Sequence, residues 1–440
     1  MTALARHFAR DEGGNIAIIV AFLLMPMLLL AGGATDIARY EAHRAQLQDG
    51  IDRAVLAAAS LSQSVPVEKT VADYLKSLGF IDNVKLDYDY TLGLNARSIK
   101  VTAGYEMPTG FLPLIGINSL SIVVAAQAQE KRSNIEISMI LDISGSMREG
   151  SPQKLSLLRP AAKQFIDTVL TVQSRPTTSI SIVPYAGSVS VGPMVFGGLG
   201  VPRKHDHSSC MEFATSDYAA NVGLVPFNQR TQVPHFTQNH QGVNYPGLDW
   251  GYCPSDVTAI SYMSNDPVAL RNKIDTMRMA DGTGTAIGMK WGLMLLEPAA
   301  QPYVAQASGA GMIPMAFASR PAPFNDPNTV KVIVLMTDGA ISEQKRPKQY
   351  AYPRSPEGGG GNDTWYSATV ADTHLQSVCQ RAKDNGVIVF TIAFQVNPTG
   401  RSQMQKCASS LSHYYDVSGL DIAGAFNSIA TAIQKVKLTQ

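Results

Sequence analysis

The chain has 440 residues, more than a single hydrophobic core usually organises, and roughly two or three folding units are expected. Its 36 basic and 35 acidic residues leave a net charge of +1, with no long basic run and no basic–aromatic interleaving, which argues against nucleic acid as a partner. Hydrophobic residues make up 45%, enough for a sizeable core.

From Gly13 to Thr35 there is no charged residue, and Ile16 to Ala31 is almost continuously apolar. That is about the 20 residues a membrane-spanning helix needs. A secretory signal peptide would have a shorter apolar core, about 7–15 residues, before a small-x-small cleavage site. Ala31-Gly32-Gly33-Ala34 supplies small residues, but the length of the run and its continuation into a helix favour a retained span over 14–35, with 1–13 as a tail. Pro26 would kink such a span without forbidding it. Arg6 and Arg10 before it balance Arg39 and Arg44 after it, so loop charge does not set the orientation.

Residues 36–131 read as a small α+β module. Asp36 to Gln63 is Ala-rich and helical. Tyr40, Leu47, Ile51, Ala54 and Ala58 recur at helical steps, a stripe that either a partner helix or the module itself could cover. A helix over Val67 to Leu78 follows Pro66. Val84 to Tyr90 and Ser98 to Tyr105 alternate like half-buried strands, and Ser119 to Gln127 reads as a third.

Residues 132–440 read as an α/β unit. Ile135 to Leu141 and Val330 to Met336 are continuous apolar runs, the pattern of strands buried on both faces. Each leads into a polar loop, Asp142-Ile143-Ser144-Gly145-Ser146 and Thr337-Asp338-Gly339, and Gly282-Thr283-Gly284-Thr285 lies between them. Loops at the carboxyl ends of strands are where open α/β sheets bind ligands. Carboxylates and hydroxyls without His or Cys suit Mg²⁺, Mn²⁺ or Ca²⁺. Thr285 is expected to cap a helix over Ala286 to Leu296. Helices over Lys154 to Thr171, Ser367 to Asn385 and Asp421 to Lys437, and strands over Ser179 to Tyr185, Val387 to Phe394 and Tyr414 to Val417, complete the unit. Three long irregular insertions are expected, about 187–265, 298–328 and 342–365, the last with Gly358 to Gly361.

The four cysteines, Cys210, Cys253, Cys379 and Cys407, all follow the span, and an even number fits an oxidising compartment. They allow three connectivities. The economical one pairs Cys210 with Cys253 inside the first insertion and Cys379 with Cys407 across neighbouring helices. His205, His207, His235 and His240 near the first pair offer a zinc alternative, without C-x-x-C spacing to support it.

Enzyme signatures are absent: no G-x-S-x-G elbow, no phosphate loop, no H-E-x-x-H. A Mg²⁺-dependent phosphatase could use Asp142 and Asp338 with Arg148 as a clamp, and is the catalytic alternative.

D-x-S-x-S followed by a distant Thr and a distant Asp, here Asp142, Ser144, Ser146, Thr283 and Asp338, resembles the metal-ion-dependent adhesion site of von Willebrand factor A domains. The resemblance implies a Rossmann-like, mostly parallel sheet flanked by helices. It implies direct metal bonds from Ser144, Ser146 and, in one state, Thr283, with Asp142 and Asp338 acting mainly through water. One metal position would stay open for an Asp or Glu of a partner protein.

The amino-terminal Ala9-Arg10-Asp11-Glu12-Gly13-Gly14-Asn15-Ile16-Ala17, the single span, the Ala-rich helix with Arg53-Ala54-Val55-Leu56-Ala57-Ala58-Ala59 and the carboxy-terminal A domain together resemble the TadG-like assembly proteins of the bacterial tight-adherence (Flp) pilus. Processed pilin-like relatives carry Glu five residues after a cleaved Gly, where this chain has Ile18 or Ile19. The resemblance implies a non-enzymatic protein of the bacterial inner membrane, with its A domain in the periplasm and a pilus-assembly component as partner. A surface adhesin unrelated to pili is the alternative within the same class.

Overall fold

The computed structural model describes residues 14–61, 63–76, 78–79, 81–92, 96–131, 133–237, 249, 251–348 and 362–438. The expected tail over 1–13, His240 and the run Gly358 to Gly361 lie outside them. The chain divides after Lys131 into two compact units.

The first unit starts with α1 (Gly14–Ala59), 46 residues of unbroken helix through Pro26. Its two halves live in different surroundings. Ile18, Phe22, Met25 and Leu30 are exposed, whereas Leu47, Ile51, Ala54 and Ala58 are fully buried. The apolar stripe is therefore covered by the module itself. Its cover is α2 (Val67–Leu75) and an antiparallel meander of β1 (Val84–Leu92), β2 (Ala96–Pro108) and β3 (Ser119–Lys131). Ile99, Val101, Ala103, Tyr105 and Met107 of β2, with Ile122 and Val124 of β3, turn one face onto the helices at the two-residue period of a strand. The far end of α1 is tied down by Arg97, which donates to the carbonyls of Ser60 (3.1 Å) and Gln63 (2.7 Å).

The second unit runs, in chain order, through β4 (Asn134–Asp142), α3 (Lys154–Val169), β5 (Thr178–Tyr185), α4 (Pro193–Gly198), β6 (Ser261–Ser264), α5 (Pro267–Thr276), α6 (Thr285–Met294), α7 (Gln301–Gly309), β7 (Thr329–Thr337), β8 (Gln344–Pro347), β9 (Asn362–Tyr366), α8 (Ala368–Asp384), β10 (Ile388–Phe394), α9 (Pro398–Cys407), β11 (Tyr414–Val417) and α10 (Ile422–Leu438). The main sheet has the order β11-β10-β7-β4-β5-β6. It is parallel except at the β5–β6 edge. Alternate side chains of the central strands face opposite layers. Met139 and Leu141 meet Leu158, Phe165 and Phe426 of α3 and α10. Ile140 and Leu335 meet Met289, Trp291 and Leu375 of α6 and α8. This is a doubly wound α/β fold, a mostly parallel sheet flanked by helices on both faces. The chain leaves β4 toward β5, then returns to the other side of β4 as β7. The strand order reverses there, which opens a crevice at the carboxyl ends of β4 and β7.

Several local expectations change. Thr285 is the first residue of α6 and Gly284 precedes it as N-cap without a side-chain bond. The Thr285 hydroxyl lies 3.4 Å from Tyr185 Oη, so it serves the interior and caps nothing. Every residue of α6 is buried, because the first insertion covers the side that solvent would otherwise wet. Lys290 of α6 donates to the carbonyls of Val222 (2.7 Å) and Gly223 (2.9 Å) in that insertion. A Cβ on Gly292 would come within 2.2 Å of Ile140 Cδ1, so glycine there sets how closely α6 lies on β4. The stretch 298–328 contains α7, and 342–365 contributes the hairpin β8–β9. Helix α5 was not expected, although Asp266-Pro267 carries its start signal: the Asp266 carboxylate accepts from the Val268 N–H at 2.8 Å, with proline at the first helical position.

Both economical disulfides are formed, Cys210–Cys253 and Cys379–Cys407. The zinc alternative therefore has no thiolates to offer. His205, His207 and His235 do gather, with ring centroids 5.1–5.9 Å apart. However, His205 Nε2 is hydrogen-bonded to the Val233 carbonyl at 2.9 Å, and its Nδ1 accepts from the His207 N–H at 3.2 Å. Among the described residues, no group of three or more His, Cys, Asp or Glu is arranged to hold a metal.

Replacing Cys379 and Cys407 together by Ser should lower the stability of the second unit by about 2–5 kcal/mol in denaturant titration. Peptide mass mapping without reduction should recover 210–253 and 379–407 as the linked pairs. Four free thiols in protein from native membranes would contradict the oxidising compartment.

Candidate metal centre

β4 ends on Asp142 and β7 on Thr337, side by side in register, so the loops that follow them face the same crevice. Asp142 is fully buried. Its Oδ1 accepts the Ser144 N–H at 2.8 Å, which folds the loop back on itself. Its Oδ2 accepts the Thr337 hydroxyl at 2.7 Å. Tyr185 Oη, from β5, lies 3.2 Å from the same oxygen and 3.1 Å from the Met336 carbonyl oxygen.

The serines complete the link between the loops. Ser144 Oγ and Ser146 Oγ are 3.0 Å apart, and Ser146 Oγ donates to Asp338 Oδ1 at 2.7 Å. Ser144 Oγ is 3.5 Å from that oxygen. Four of the five residues singled out by the motif thus form one connected cluster. Thr283 stands on the adjoining loop. That loop is fixed by backbone bonds, Ala280 N–H to Ile143 O (3.0 Å), Gly187 N–H to Asp281 O (2.8 Å) and Gly284 N–H to Ala186 O (2.6 Å). Thr283 is half-buried, and its carbonyl accepts from Gln344 Nε2 at 3.0 Å. No described hydrogen bond joins its hydroxyl to the cluster.

The pattern reading missed Lys154. This residue opens α3 and is buried, and its Nζ donates to Asp338 Oδ2 at 2.9 Å. A cation at the first position of a helix opposes the helix dipole, which marks Lys154 as unusual without indicating which acid it meets. Lys154, rather than Arg148, is the cation described on the Asp338 carboxylate.

Burial pushes the Asp142 carboxyl above the usual carboxylate range, and the charge of Asp338 adds to the rise. Burial also raises Asp338, against which the Lys154 ammonium lowers it. The described ammonium stands on Asp338 alone, so two buried carboxylates with one such cation leave the ionised cluster an excess of negative charge. The donor set is all oxygen, and the Asp142 side of the cluster lacks a described cation. These features fit a hard divalent cation. For catalysis the arrangement offers less. Ser144 and Ser146 bond to one another and to Asp338, and no described hydrogen bond joins either to a histidine that could act as base.

No curated protein matches the chain. Among solved structures it is similar to the von Willebrand factor domain of the type V pili tip protein Mfa5 from Porphyromonas gingivalis, at 13% identity and TM-score 0.38, covering 70% of this chain and 97% of that one. It is also similar to the pilus adhesin SpaC from Lactobacillus rhamnosus GG in its open conformation, at 13% identity and TM-score 0.35, covering 81% of this chain. The chain spans 34% of the length of that SpaC structure. A third similarity is to proximal thread matrix protein 1 from the mussel byssus with a zinc-occupied MIDAS motif, at 12% identity and TM-score 0.31, over 69% of this chain and 46% of that one. The model of the Flp pilus-assembly TadE/G-like family matches residues 14–61, the apolar half of α1 and the stripe that the small module covers. Over that segment, about a tenth of the chain, the sequence is similar to the TadE/G-like proteins of Flp pilus assembly.

Proposed function

We propose that this chain is a membrane-anchored component of Flp pilus assembly whose A domain grips a protein partner through a divalent metal ion. The observation that carries the proposal is the all-oxygen cluster of Asp142, Ser144, Ser146 and Asp338 in the crevice where the strand order reverses. In this reading residues 1–13 are a cytoplasmic tail, 14–35 the inner-membrane span, 36–131 an assembly module and 132–440 the periplasmic A domain. The two disulfides support an oxidising compartment for the second unit. Ser144, Ser146 and Thr283 would hold Mg²⁺, with Mn²⁺ or Ca²⁺ as substitutes, and Asp142 and Asp338 would neutralise its charge. The bound ion would supply a Lewis-acidic position for an Asp or Glu of a pilus-assembly partner. The role is binding rather than catalysis. Identification of the partner by crosslinking in native membranes separates this reading from an adhesin unrelated to pili. A pilus component captured with Mg²⁺ and lost with chelator is the expected result.

Asp142→Asn keeps the shape of the buried group and removes its charge. We expect a folded protein whose calorimetric response to Mg²⁺ and Mn²⁺ is lost. Unchanged metal affinity in this variant would sink the site assignment.

Lys154→Met should leave Asp338 buried without its described counter-charge. Removal of one partner from a buried pair typically costs about 3–5 kcal/mol, so the metal-free variant should melt well below the parent. Mg²⁺ or Mn²⁺ should then raise its melting temperature by more than it raises that of the parent. An equal metal response in the two proteins would show that the ammonium and the ion do not share the Asp338 carboxylate.

A further inference from the structure

The loop between β2 and β3 reads Gly110-Phe111-Leu112-Pro113-Leu114-Ile115-Gly116-Ile117. A connection this apolar is out of place in water, where turns are polar. It is nevertheless well built. Thr109 N–H donates to the Asn118 carbonyl at 3.2 Å and the Thr109 hydroxyl to the Ile117 carbonyl at 2.6 Å, closing its neck. Leu112–Ile115 forms a short 3-10 helix with no buried residue, stopped by Gly116 at φ 86°. Phe111 is 43% exposed, Leu114 74%, Ile115 56% and Ile117 41%.

The loop is fastened to α1 at one level. The Asp36 carboxylate, itself fully buried, accepts the N–H groups of Gly110 (2.9 Å), Phe111 (2.8 Å) and Leu112 (2.9 Å). The Phe111 ring lies on Gly32, where a Cβ would be 2.4 Å from Phe111 Cγ, and Leu112 Cδ2 would lie 3.5 Å from a Cβ on Gly33. Gly32-Gly33 is thus a seat for this loop. The exposed apolar face of α1 runs from Ile18 to Leu30. At about 1.5 Å rise per residue, Gly32 and Asp36 stand within roughly two turns of its end. The loop's apolar tip is therefore continuous with the surface that the span offers to lipid.

We propose that Phe111, Leu114, Ile115 and Ile117 form a second membrane contact, which dips into the periplasmic leaflet beside the span. The occupant of this surface is lipid. The continuity with the span argues for that, since the level set by Asp36 and Gly32 is the bilayer–water boundary, where exposed apolar and aromatic side chains are stabilised. The contact would fix the tilt and rotation of α1, which a single span leaves free. The proposal rests on the reading of 14–35 as a retained span, and the test keeps the two apart.

The full chain, in nanodiscs of phosphatidylethanolamine and phosphatidylglycerol, is labelled with bimane at single introduced cysteines, the four native ones being in disulfides. Ile115→Cys and Leu114→Cys probe the loop, Phe22→Cys the span, and Thr91→Cys the opposite end of the meander. Brominated acyl chains should quench the labels at 22, 114 and 115 at least twofold, with iodide ineffective there. Position 91 should show the reverse. Quenching at 22 with iodide access at 114 and 115 overturns the loop contact and leaves the span standing. Iodide access at 22 as well overturns both.

Discussion

Asp142 is the constraint around which the second unit is organised. A carboxylate with no solvent exposure, at the end of the central strand, is costly unless every lone pair is met and a positive charge is near. Its partners come from three directions: the following loop through the Ser144 N–H, β7 through the Thr337 hydroxyl, and β5 through Tyr185. The first is local, but the other two require β4 to lie between β5 and β7, as it does. The second carboxylate, Asp338, follows from the same pairing, because β7 runs parallel to β4 and ends level with it. The cluster, its buried setting and its excess negative charge are thus one consequence of strand order.

Around that edge the chain has added cover. The first insertion closes over α6, which is consequently apolar on all sides and depends on Gly292, with Gly288 one turn earlier, to lie close against the sheet. Buried Lys290 and half-buried Arg381 anchor the cover, Arg381 by donating to the Ala220 carbonyl at 3.0 Å. Lys290 holds two carbonyls of the insertion. Arg381 of α8 pairs with Glu297 at 2.6 Å. The disulfides fasten what such contacts leave loose, one inside the insertion and one between α8 and α9. Tyr252, next in sequence to Cys253, stacks on Phe236 and hydrogen-bonds Gln344 at 2.7 Å, and Gln344 in turn holds the Thr283 carbonyl. The insertion is in this way continuous with the loop that adjoins the Asp142–Asp338 cluster.

The first unit shows one helix in two surroundings, its apolar first half exposed and its second half covered by the small module. Nothing in α1 marks the change except composition. The charge-free run gives way to a helix whose buried positions are Leu47, Ile51, Ala54 and Ala58. The joint is made by Gly32, Gly33 and Asp36, two residues without side chains and one buried acid, all engaged by a single loop. The same glycines that could be read as part of a cleavage site are, in the folded chain, a packing surface.

Much of this was legible from sequence because it is local. Continuous apolar runs marked β4 and β7, since strands buried on both faces need apolar residues at every position. The motif spacing singled out Asp142, Ser144, Ser146 and Asp338, which the fold brings into one cluster, and Thr283 on the adjoining loop, which no described hydrogen bond joins to it; the charge-free stretch marked the exposed apolar half of α1. The disulfide pairing followed from the elements in which the cysteines sit. Other features were decided by tertiary structure. Thr285 and Gly284 exchanged roles because Tyr185, a hundred positions away in sequence, supplied the Thr285 hydroxyl with a buried partner. The stripe on α1 could have faced a partner helix, and only the folding of β2 and β3 across it chose otherwise. Lys154 could not be assigned to Asp338 from pattern, because 184 positions separate them along the chain. Sequence determines which residues are apolar, charged or able to turn. Which charge meets which is set by strand order, because the order of strands, not their spacing in the chain, brings two loops to the same edge.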